Sequence, residues 1–289
     1  MKPAIVKLCY AIILSTLLFS CKKDSVDVSK EGSSSSTQQT NPATKQDVDV
    51  AETAAPVQVA VSQKITDNCF GFYRALPARY DSTSKKYPLL IFLHGSGEMG
   101  NGTTDLPKVL TNAVPKLINN KTFPANFNVN GENFSFIVFS PQSKNYTTVA
   151  DVYAMIQYAI KNYRIDTTRI YVTGLSLGGN FTWATAAKYP ALLAAVVPIC
   201  SSLFASDANG KSIANANLPV WAFHNEDDDK APVKNTKDFI NFINAYNPDP
   251  RAKMTIWSTG KHDAWTKATD PTYKENNMNM YEWMLQYHR

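Results

Sequence analysis

Residues 169–183 read RIYVTGLSLGGNFTW, a strand-like run that leads into a helical stretch, Asn180–Tyr189. Between the two lies Gly-x-Ser-x-Gly, with Ser176 flanked by Gly174 and Gly178. A serine at so sharp a strand-to-helix turn has a strained backbone, and larger side chains two residues away would collide with it. The strand before and the helix after indicate an exposed nucleophile, and the alternative is a tight turn without chemistry.

Apolar runs alternate with helical patterns along the rest of the chain, which is typical of an α/β sheet. The run LLIFL at 89–93 is apolar without alternation, as expected where helices cover both faces of a strand. Apolar residues recur at helical spacing across Val149–Tyr163. We therefore expect a single doubly wound α/β sheet, mostly parallel, with helices on both faces and an antiparallel N-terminal edge. The predicted strands are Phe70–Leu76, Leu89–His94, Phe134–Ser140, Arg169–Ser176, Ala194–Cys200, Val220–His224 and Met254–Ser258.

Length and composition exclude several classes of protein. The chain has 289 residues, 44% hydrophobic and 18% charged, which is enough for a substantial core. The net charge is +5, and no dense run of Lys and Arg occurs outside residues 1–30, so nucleic acid is not an expected partner. Of the 4 cysteines, Cys69 and Cys200 fall in the expected domain, where we predict free thiols. No Cys or His cluster suggests zinc, and we expect no metal and no cofactor.

The N-terminus resembles an export signal. Residues 1–20, MKPAIVKLCYAIILSTLLFS, have a basic start, an apolar core and a small residue before Cys21. The apolar run is shorter than the roughly 20 residues of a membrane span, so a permanent helix is the disfavoured alternative. The sequence LLFSC resembles a bacterial lipobox. That resemblance implies a lipid on Cys21 and a place in the cell envelope, in the periplasm or at the outer membrane or cell surface.

Residues 21–62 contain no aromatic residue and are rich in Ser, Thr, Ala and Asp. Such a segment cannot bury enough apolar surface to offset its chain entropy, so we predict a disordered tether. The catalytic domain is then expected at residues 63–289, with membrane contact through the N-terminal lipid only.

A serine hydroxyl needs a base, and the chain has 4 histidines. His288 is next to the last residue and is expected to be solvated. His94 and His224 end buried strands and are expected to organise loops. His262 follows the last predicted strand, in a loop at the same sheet edge as Ser176, and is the predicted base, with an uninvolved surface loop as the alternative.

The carboxylate that orients the base is expected after the strand Val220–His224, where Glu226, Asp227, Asp228 and Asp229 are adjacent. Adjacent carboxylates repel one another, so most of them must be solvated or paired with cations. We favour Asp228 and then Asp227 as the orienting residue.

A glycine-rich loop, HGSGEMG at 94–100, follows another predicted strand. We predict that the backbone N–H of Ser96 or Gly97 joins that of Leu177 in an oxyanion hole. A phosphate-binding reading is disfavoured because no Gly-Lys-Ser/Thr follows the loop.

At these residues the sequence resembles the α/β-hydrolase superfamily. Within it, the chain is similar to feruloyl-esterase and polyhydroxybutyrate-depolymerase-like esterases, also described as predicted peptidases or phospholipase/carboxylesterases. The resemblance runs from about residue 69 to the end. The matching blocks are YPLLIFLHGSGE at 87–98, SPQ at 140–142, DTTRIYVTGLSLGG at 166–179, PVWAFH at 219–224 and HDAW at 262–265.

The resemblance implies roles for individual residues. It makes Ser176 the nucleophile, His262 the base and Asp228 the orienting acid, in the chain order known for this fold. Two positions depart from the family. Asn225 replaces the usual Gly, so the orienting acid could lie one residue away from Asp228. Met99 stands where Arg is common, and this change affects the entrance for the substrate.

The leading hypothesis is a secreted, lipid-anchored serine esterase that hydrolyses carboxylic esters, including acyl or feruloyl groups on polysaccharide. A serine peptidase of similar fold remains open because the same triad can cleave amides. An inactive hydrolase that binds glycans at the cell surface is the third reading. Tyr146, Trp183 and Trp265 are candidates to stack on a sugar or phenolic ring, although burial in the core is the default.

Overall fold

The computed structural model describes residues 51–289, which form an α/β sheet flanked by helices. The strands are β1 (Val57–Val61), β2 (Cys69–Leu76), β3 (Tyr87–Leu93), β4 (Phe127–Val129), β5 (Glu132–Phe134), β6 (Ile137–Ser143), β7 (Ile165–Leu175), β8 (Ala195–Ile199), β9 (Trp221–Asn225) and β10 (Lys253–Trp257). The helices are α1 (Ala113–Asn119), α2 (Val149–Asn162), α3 (Leu177–Lys188), α4 (Asp207–Asn215), α5 (Val233–Asn244), α6 (Trp265–Ala268) and α7 (Met280–Leu285).

The main sheet has 8 strands in the order β1-β2-β6-β3-β7-β8-β9-β10. From β6 to β10 all neighbours are parallel, whereas β1–β2 and β2–β6 are antiparallel. The prediction of a mostly parallel sheet with an antiparallel N-terminal edge is confirmed. Because β7, β8, β9 and β10 are parallel neighbours, the loops that follow them all leave from one edge of the sheet.

The sheet separates two hydrophobic cores, and successive residues of β3 belong alternately to each. Leu89, Ile91 and Leu93 face the core that contains α2, α3, α4 and α5. Leu90 and Phe92 face the other core, which contains α1, α6 and α7. Burial on both faces explains why this strand is apolar without alternation.

The N-terminal edge of the sheet begins earlier than the sequence predicted. The expected signal segment 1–20, Cys21 and most of the expected tether lie outside the described residues. Val57–Val61, however, pairs with β2, with Val57 opposite Leu76 and Val61 opposite Phe72. This strand is held mainly by its backbone pairing, since Val57 is 71% exposed, and a search for buried apolar runs does not find such a strand. The fold therefore includes residues before 63.

The predicted strand Phe134–Ser140 is two strands in the structure. The short hairpin β4–β5 ends at Phe134, and β6 begins at Ile137. Asn130 and Gly131 form its turn with φ of 54° and 86°. An Asn-Gly pair is the usual signal for such a turn, so the hairpin was within reach of sequence reasoning.

Both cysteines of the described residues, Cys69 and Cys200, are buried free thiols, as predicted. Burial raises the pKa of Cys69 to about 12 and also raises the pKa of Cys200, so neither is poised as a thiolate. Within residues 51–289 no helix has both the length and the apolar character needed to cross a membrane.

Candidate active site

Ser176 lies between β7 and α3 in a backbone conformation that few residues adopt. Its φ is 51° and its ψ is −113°, a conformation that costs about 1–3 kcal/mol and persists only because the surroundings impose it. The Ser176 N–H donates to the Ile199 carbonyl at 2.9 Å. A Cβ on Gly174 would lie 2.6 Å from the Gly178 carbonyl, and one on Gly178 would lie 2.0 Å from the Leu93 oxygen. The turn can therefore form only with glycine at both positions.

A continuous chain of hydrogen bonds joins Ser176, His262 and Asp228. Ser176 Oγ lies 2.9 Å from His262 Nε2, and His262 Nδ1 lies 2.7 Å from Asp228 Oδ2. Because an ionised carboxylate can only accept, Nδ1 carries the proton, and the Nε2 lone pair accepts from the serine hydroxyl. The three residues follow β7, β9 and β10 at one sheet edge. This arrangement can take the proton of a serine as its oxygen attacks a carbonyl.

The Asp228 side chain is fully buried and donors surround its carboxylate. Oδ1 accepts from the backbone N–H groups of Lys230 at 2.8 Å and Ala231 at 2.9 Å. Oδ2 accepts from His262 and also lies 3.1 Å from Nε2 of His224. With two backbone donors on one oxygen and two imidazoles on the other, the orientation of the carboxylate is fixed.

The other acidic residues of the cluster point elsewhere. Asp227 Oδ1 accepts from the Lys261 N–H at 2.8 Å. Glu226 forms an ion pair with a lysine of α5 at 2.7 Å, and Asp229 is exposed. Of the four adjacent carboxylates, all of them within the described residues, Asp228 is the one bonded to the imidazole of the base.

The loop that carries His262 is held by hydrogen bonds to the backbone N–H and the backbone carbonyl of the preceding residue, Lys261. Its N–H donates to Asp227, and its carbonyl accepts from Asn225 Nδ2 at 2.9 Å. The preceding Gly260 has φ of 143°, and a Cβ there would lie 2.4 Å from Asn225 Nδ2. Asn225, which replaces the glycine usual in the resembled family, thus anchors the loop of the base. Sequence reasoning noted this departure but missed the anchoring contact.

The remaining histidines take the places expected of them. His94 is buried, its Nε2 accepts from the Ser143 N–H at 3.0 Å, and its Nδ1 donates to the next carbonyl at 2.6 Å. His224 is also buried: its Nε2 donates to the Ala231 carbonyl at 2.9 Å, and its Nδ1 lies 2.8 Å from Thr236 Oγ1. Burial lowers the pKa of both histidines and favours neutral rings, which His94 requires because its Nε2 accepts a hydrogen bond. His288 is exposed.

A cavity of about 440 Å³ opens at Ser176 and His262. Ser96 and Gly97, two of the predicted oxyanion residues, line it. The third, Leu177, is the first residue of α3, where a backbone N–H has no partner within the helix. Within residues 51–289 no group of His, Cys, Asp and Glu side chains could hold a metal ion.

The three aromatic candidates lie in different environments. Trp183 is fully buried and stacks on Phe239 with ring centroids 4.2 Å apart, so it belongs to the core. Tyr146 is 66% exposed and lines a second cavity together with Met99. Trp265 lines the cavity at Ser176, and its ring stands edge-on to His262 at 5.5 Å.

Asn180 is a supporting residue that sequence reasoning missed. It lies one helical turn after Ser176, and its Oδ1 accepts from Ser201 Oγ and the Ser202 N–H, both at 2.8 Å. It also accepts from the Leu203 N–H at 3.0 Å. One side chain therefore fixes the segment after β8, which contributes Ser202 to the cavity wall. The i, i+4 spacing to Ser176 was the available signal.

Comparison with known proteins places the chain in a family. A model of the phospholipase/carboxylesterase family matches residues 80–274, a range that contains Ser176, Asp228 and His262. A bifunctional acetylxylan esterase/xylanase of Neocallimastix patriciarum is 27% identical over 124 residues, which is 43% of this chain. The match spans 16% of that relative's length.

Solved structures share the fold. A thermostable esterase superposes with a TM-score of 0.55 at 22% identity, covering 81% of this chain and 64% of that one. A ferulic acid esterase superposes with a TM-score of 0.54 at 15% identity, covering 74% of this chain and 96% of the other. The chain therefore has the α/β-hydrolase fold and belongs to the phospholipase/carboxylesterase family.

Proposed function

We propose that this protein hydrolyses carboxylic esters through Ser176 as nucleophile, His262 as general base and acid, and Asp228 as the residue that orients the imidazole. The observation that carries the proposal is the unbroken series of contacts from Ser176 Oγ to Asp228 Oδ2, at 2.9 Å and 2.7 Å. Both distances are within the range of good hydrogen bonds, with the ring in the tautomer that a base requires.

The proposed reaction has two halves. Ser176 Oγ attacks the ester carbonyl while its proton moves to His262 Nε2, and the tetrahedral oxyanion accepts hydrogen bonds from the N–H of Leu177 and of Ser96 or Gly97. The intermediate collapses, the carbon–oxygen bond to the alcohol breaks, and His262 gives its proton to the leaving alkoxide. Water then attacks the acyl-enzyme with the same base, and the acid product leaves with Ser176 restored.

The lining of the cavity supports esters with a short or aromatic acyl group on a polar alcohol. Polar side chains from Glu98, Asn112 and Lys230 face it, and its large apolar side chains are those of Leu175 and Trp265. A long aliphatic chain would need a continuous apolar channel. Acyl or feruloyl groups on polysaccharide meet this description, and the relative of the chain reported above is a bifunctional acetylxylan esterase/xylanase.

A panel of substrates tests this proposal. The purified protein is expected to hydrolyse acetylated xylan or feruloyl esters, together with a 4-nitrophenyl acetate reporter, and to leave peptide amides of matched acyl group uncut. A fluorophosphonate probe should label the protein, and peptide mapping should locate the label on Ser176. Cleavage of peptides without ester turnover would replace the esterase by the peptidase reading. Absence of both activities and of labelling would leave the glycan-binding reading.

We further propose that the protein is exported and anchored by a lipid on Cys21, with the residues before Glu52 as a tether, since Glu52 is already bonded to Arg79 and Asn126 of the domain. The support is the order of a basic start, an apolar core and a small residue before the cysteine. Full-length protein produced in a Gram-negative host is expected to enter the detergent phase of a Triton X-114 partition. The Cys21→Ser variant should move to the aqueous phase or remain unprocessed. Equal partition of the two proteins would contradict the anchor without affecting the esterase proposal.

A further inference from the structure

Glu98 is a buried carboxylate in the wall of the cavity at Ser176, and the proposed triad does not use it. The residue is 5% exposed. It is the last residue of a short 3-10 turn, Ser96–Glu98, in the loop that follows β3. It lines the same cavity as Ser176 and His262. Burying a carboxylate costs free energy unless both oxygens find donors, so the partners of Glu98 matter.

Only one of its two oxygens is used by the protein. Oε1 accepts from Asn112 Nδ2 at 2.5 Å. Gln142 Nε2 donates to the Glu98 backbone carbonyl at 2.8 Å, which fixes the turn rather than the carboxylate. Within residues 51–289 no donor lies within hydrogen-bond distance of Oε2, and no cation forms an ion pair with Glu98. Oε2 is not one of the fully buried unpartnered atoms of these residues, so this acceptor, held in place by its neighbours, can be reached by a group from outside the chain.

Oε2 lies next to the nucleophile. A Cβ on Gly95 would lie 3.1 Å from Glu98 Oε2 and 3.7 Å from Ser176 Cβ. Leu175 Cδ1 would lie 2.7 Å from the same Cβ, so Gly95 itself has no room for a group, but Glu98 and Ser176 line one cavity on either side of it. A group bound in the cavity at Oε2 is therefore near an ester carbonyl bound at Ser176. Since a carboxylate only accepts hydrogen bonds and repels anions, that group must be a donor.

We propose that Glu98 is a specificity-determining residue that accepts a hydrogen bond from a hydroxyl on the alcohol part of the substrate, adjacent to the scissile ester. The ligand class is a monoester of a vicinal diol, as in a partly acylated sugar ring. A short acyl group carries no donor, and the phenolic hydroxyl of a feruloyl group lies at the far end of its ring from the carbonyl, so the alcohol supplies the donor next to the ester. The inference rests on the proposed esterase function and deepens it, because it says which esters are selected.

A matched pair of substrates isolates this contact. trans-2-Hydroxycyclohexyl acetate and cyclohexyl acetate differ by one hydroxyl, and kcat/KM is measured for both. Because hydrogen bonds to a charged group are strong, the wild type should prefer the hydroxylated ester by about 10- to 100-fold. Glu98→Gln keeps the shape, loses the charge, and should bring the ratio close to 1, while cyclohexyl acetate turnover stays within about threefold. Glu132→Gln, the same change at an exposed hairpin position, should leave the ratio at the wild-type value.

Several outcomes would overturn the role of Glu98. A wild-type ratio near 1 would do so without any variant, which covers the case where Glu98→Gln does not fold. An unchanged ratio in Glu98→Gln would also do so. So would an equal loss on both esters, since that marks a structural or general catalytic contribution. These results leave the triad intact, whereas the proposed function itself fails if the protein does not hydrolyse esters or if ester turnover does not depend on Ser176.

Discussion

Ser176→Ala is expected to lower kcat for ester hydrolysis by a factor of at least about 10³ while the domain keeps its fold. The hydroxyl forms the acyl-enzyme, so without it only binding and the oxyanion N–H groups remain to accelerate direct attack by water. Stability should change little, because the Cβ stays in place and the hydroxyl bonds to His262, a partner that is itself 22% exposed. Turnover of 4-nitrophenyl acetate and a thermal melt of both proteins provide the measurement.

Ser202→Ala is the matched control for this result. Ser202 lines the same cavity, but its Oγ accepts from Asn180 Nδ2 at 3.0 Å rather than contacting the imidazole. Its loss should leave kcat within about twofold, as expected for a substitution of an exposed hydroxyl. If Ser176→Ala retained near-wild-type turnover, or if Ser202→Ala lost as much, the nucleophile would have to be sought elsewhere.

Asp228→Asn is expected to lower kcat by about 10⁴, a loss typical of triads whose acid becomes an amide. The structure gives the reason. The backbone N–H groups of Lys230 and Ala231 can only donate, so they hold the amide oxygen at the position of Oδ1. The new NH₂ group then occupies the position of Oδ2 and faces His262 Nδ1. The imidazole must accept there, its proton moves to Nε2, and the ring can no longer take the serine proton.

Asp227→Asn tests the neighbouring assignment. Asp227 Oδ1 accepts a backbone N–H from Lys261, and an amide oxygen can do the same, so we expect less than about a tenfold loss. Steady-state kinetics of both variants with one ester decide between the two aspartates. Retained activity in Asp228→Asn with a loss of several orders of magnitude in Asp227→Asn would show that the orienting acid is one residue earlier.

The parts of the fold that bury apolar side chains could be predicted from the sequence, and the parts held by backbone pairing could not. The run Leu89–Leu93 predicts a central strand, because a strand that is buried on both faces is apolar at every position. Val57–Val61 has valine at every second position, but Val57 and Val59 stay exposed, and the strand is formed by pairing with the edge of β2. The Asn130-Gly131 turn was readable, but the strands on either side of it have only three residues each, too few to give a pattern.

The candidate site divides in a similar way. Ser176 and His262 could be singled out because a local motif and a position after the last strand place them. The choice of Asp228 over Asp227 depended on resemblance, since adjacent loop residues point in directions that local sequence does not encode. The contacts of Asn225 with Lys261 and of Asn180 with the segment after β8 join residues that are far apart in the sequence. Each depends on how separate loops meet at the sheet edge.

The two-sided burial of β3 has a consequence for how this sequence can change over time. Side chains at its odd and even positions pack in two different cores, one on each face of the sheet. Leu90 and Phe92 contact the layer of α1, α6 and α7, whereas Leu89, Ile91 and Leu93 contact the opposite layer. Since substitutions without shared partners usually have additive effects, the two cores can drift independently. Insertion or deletion of one residue has a much larger effect, because every side chain beyond it would then point to the opposite face of the sheet and into the other core.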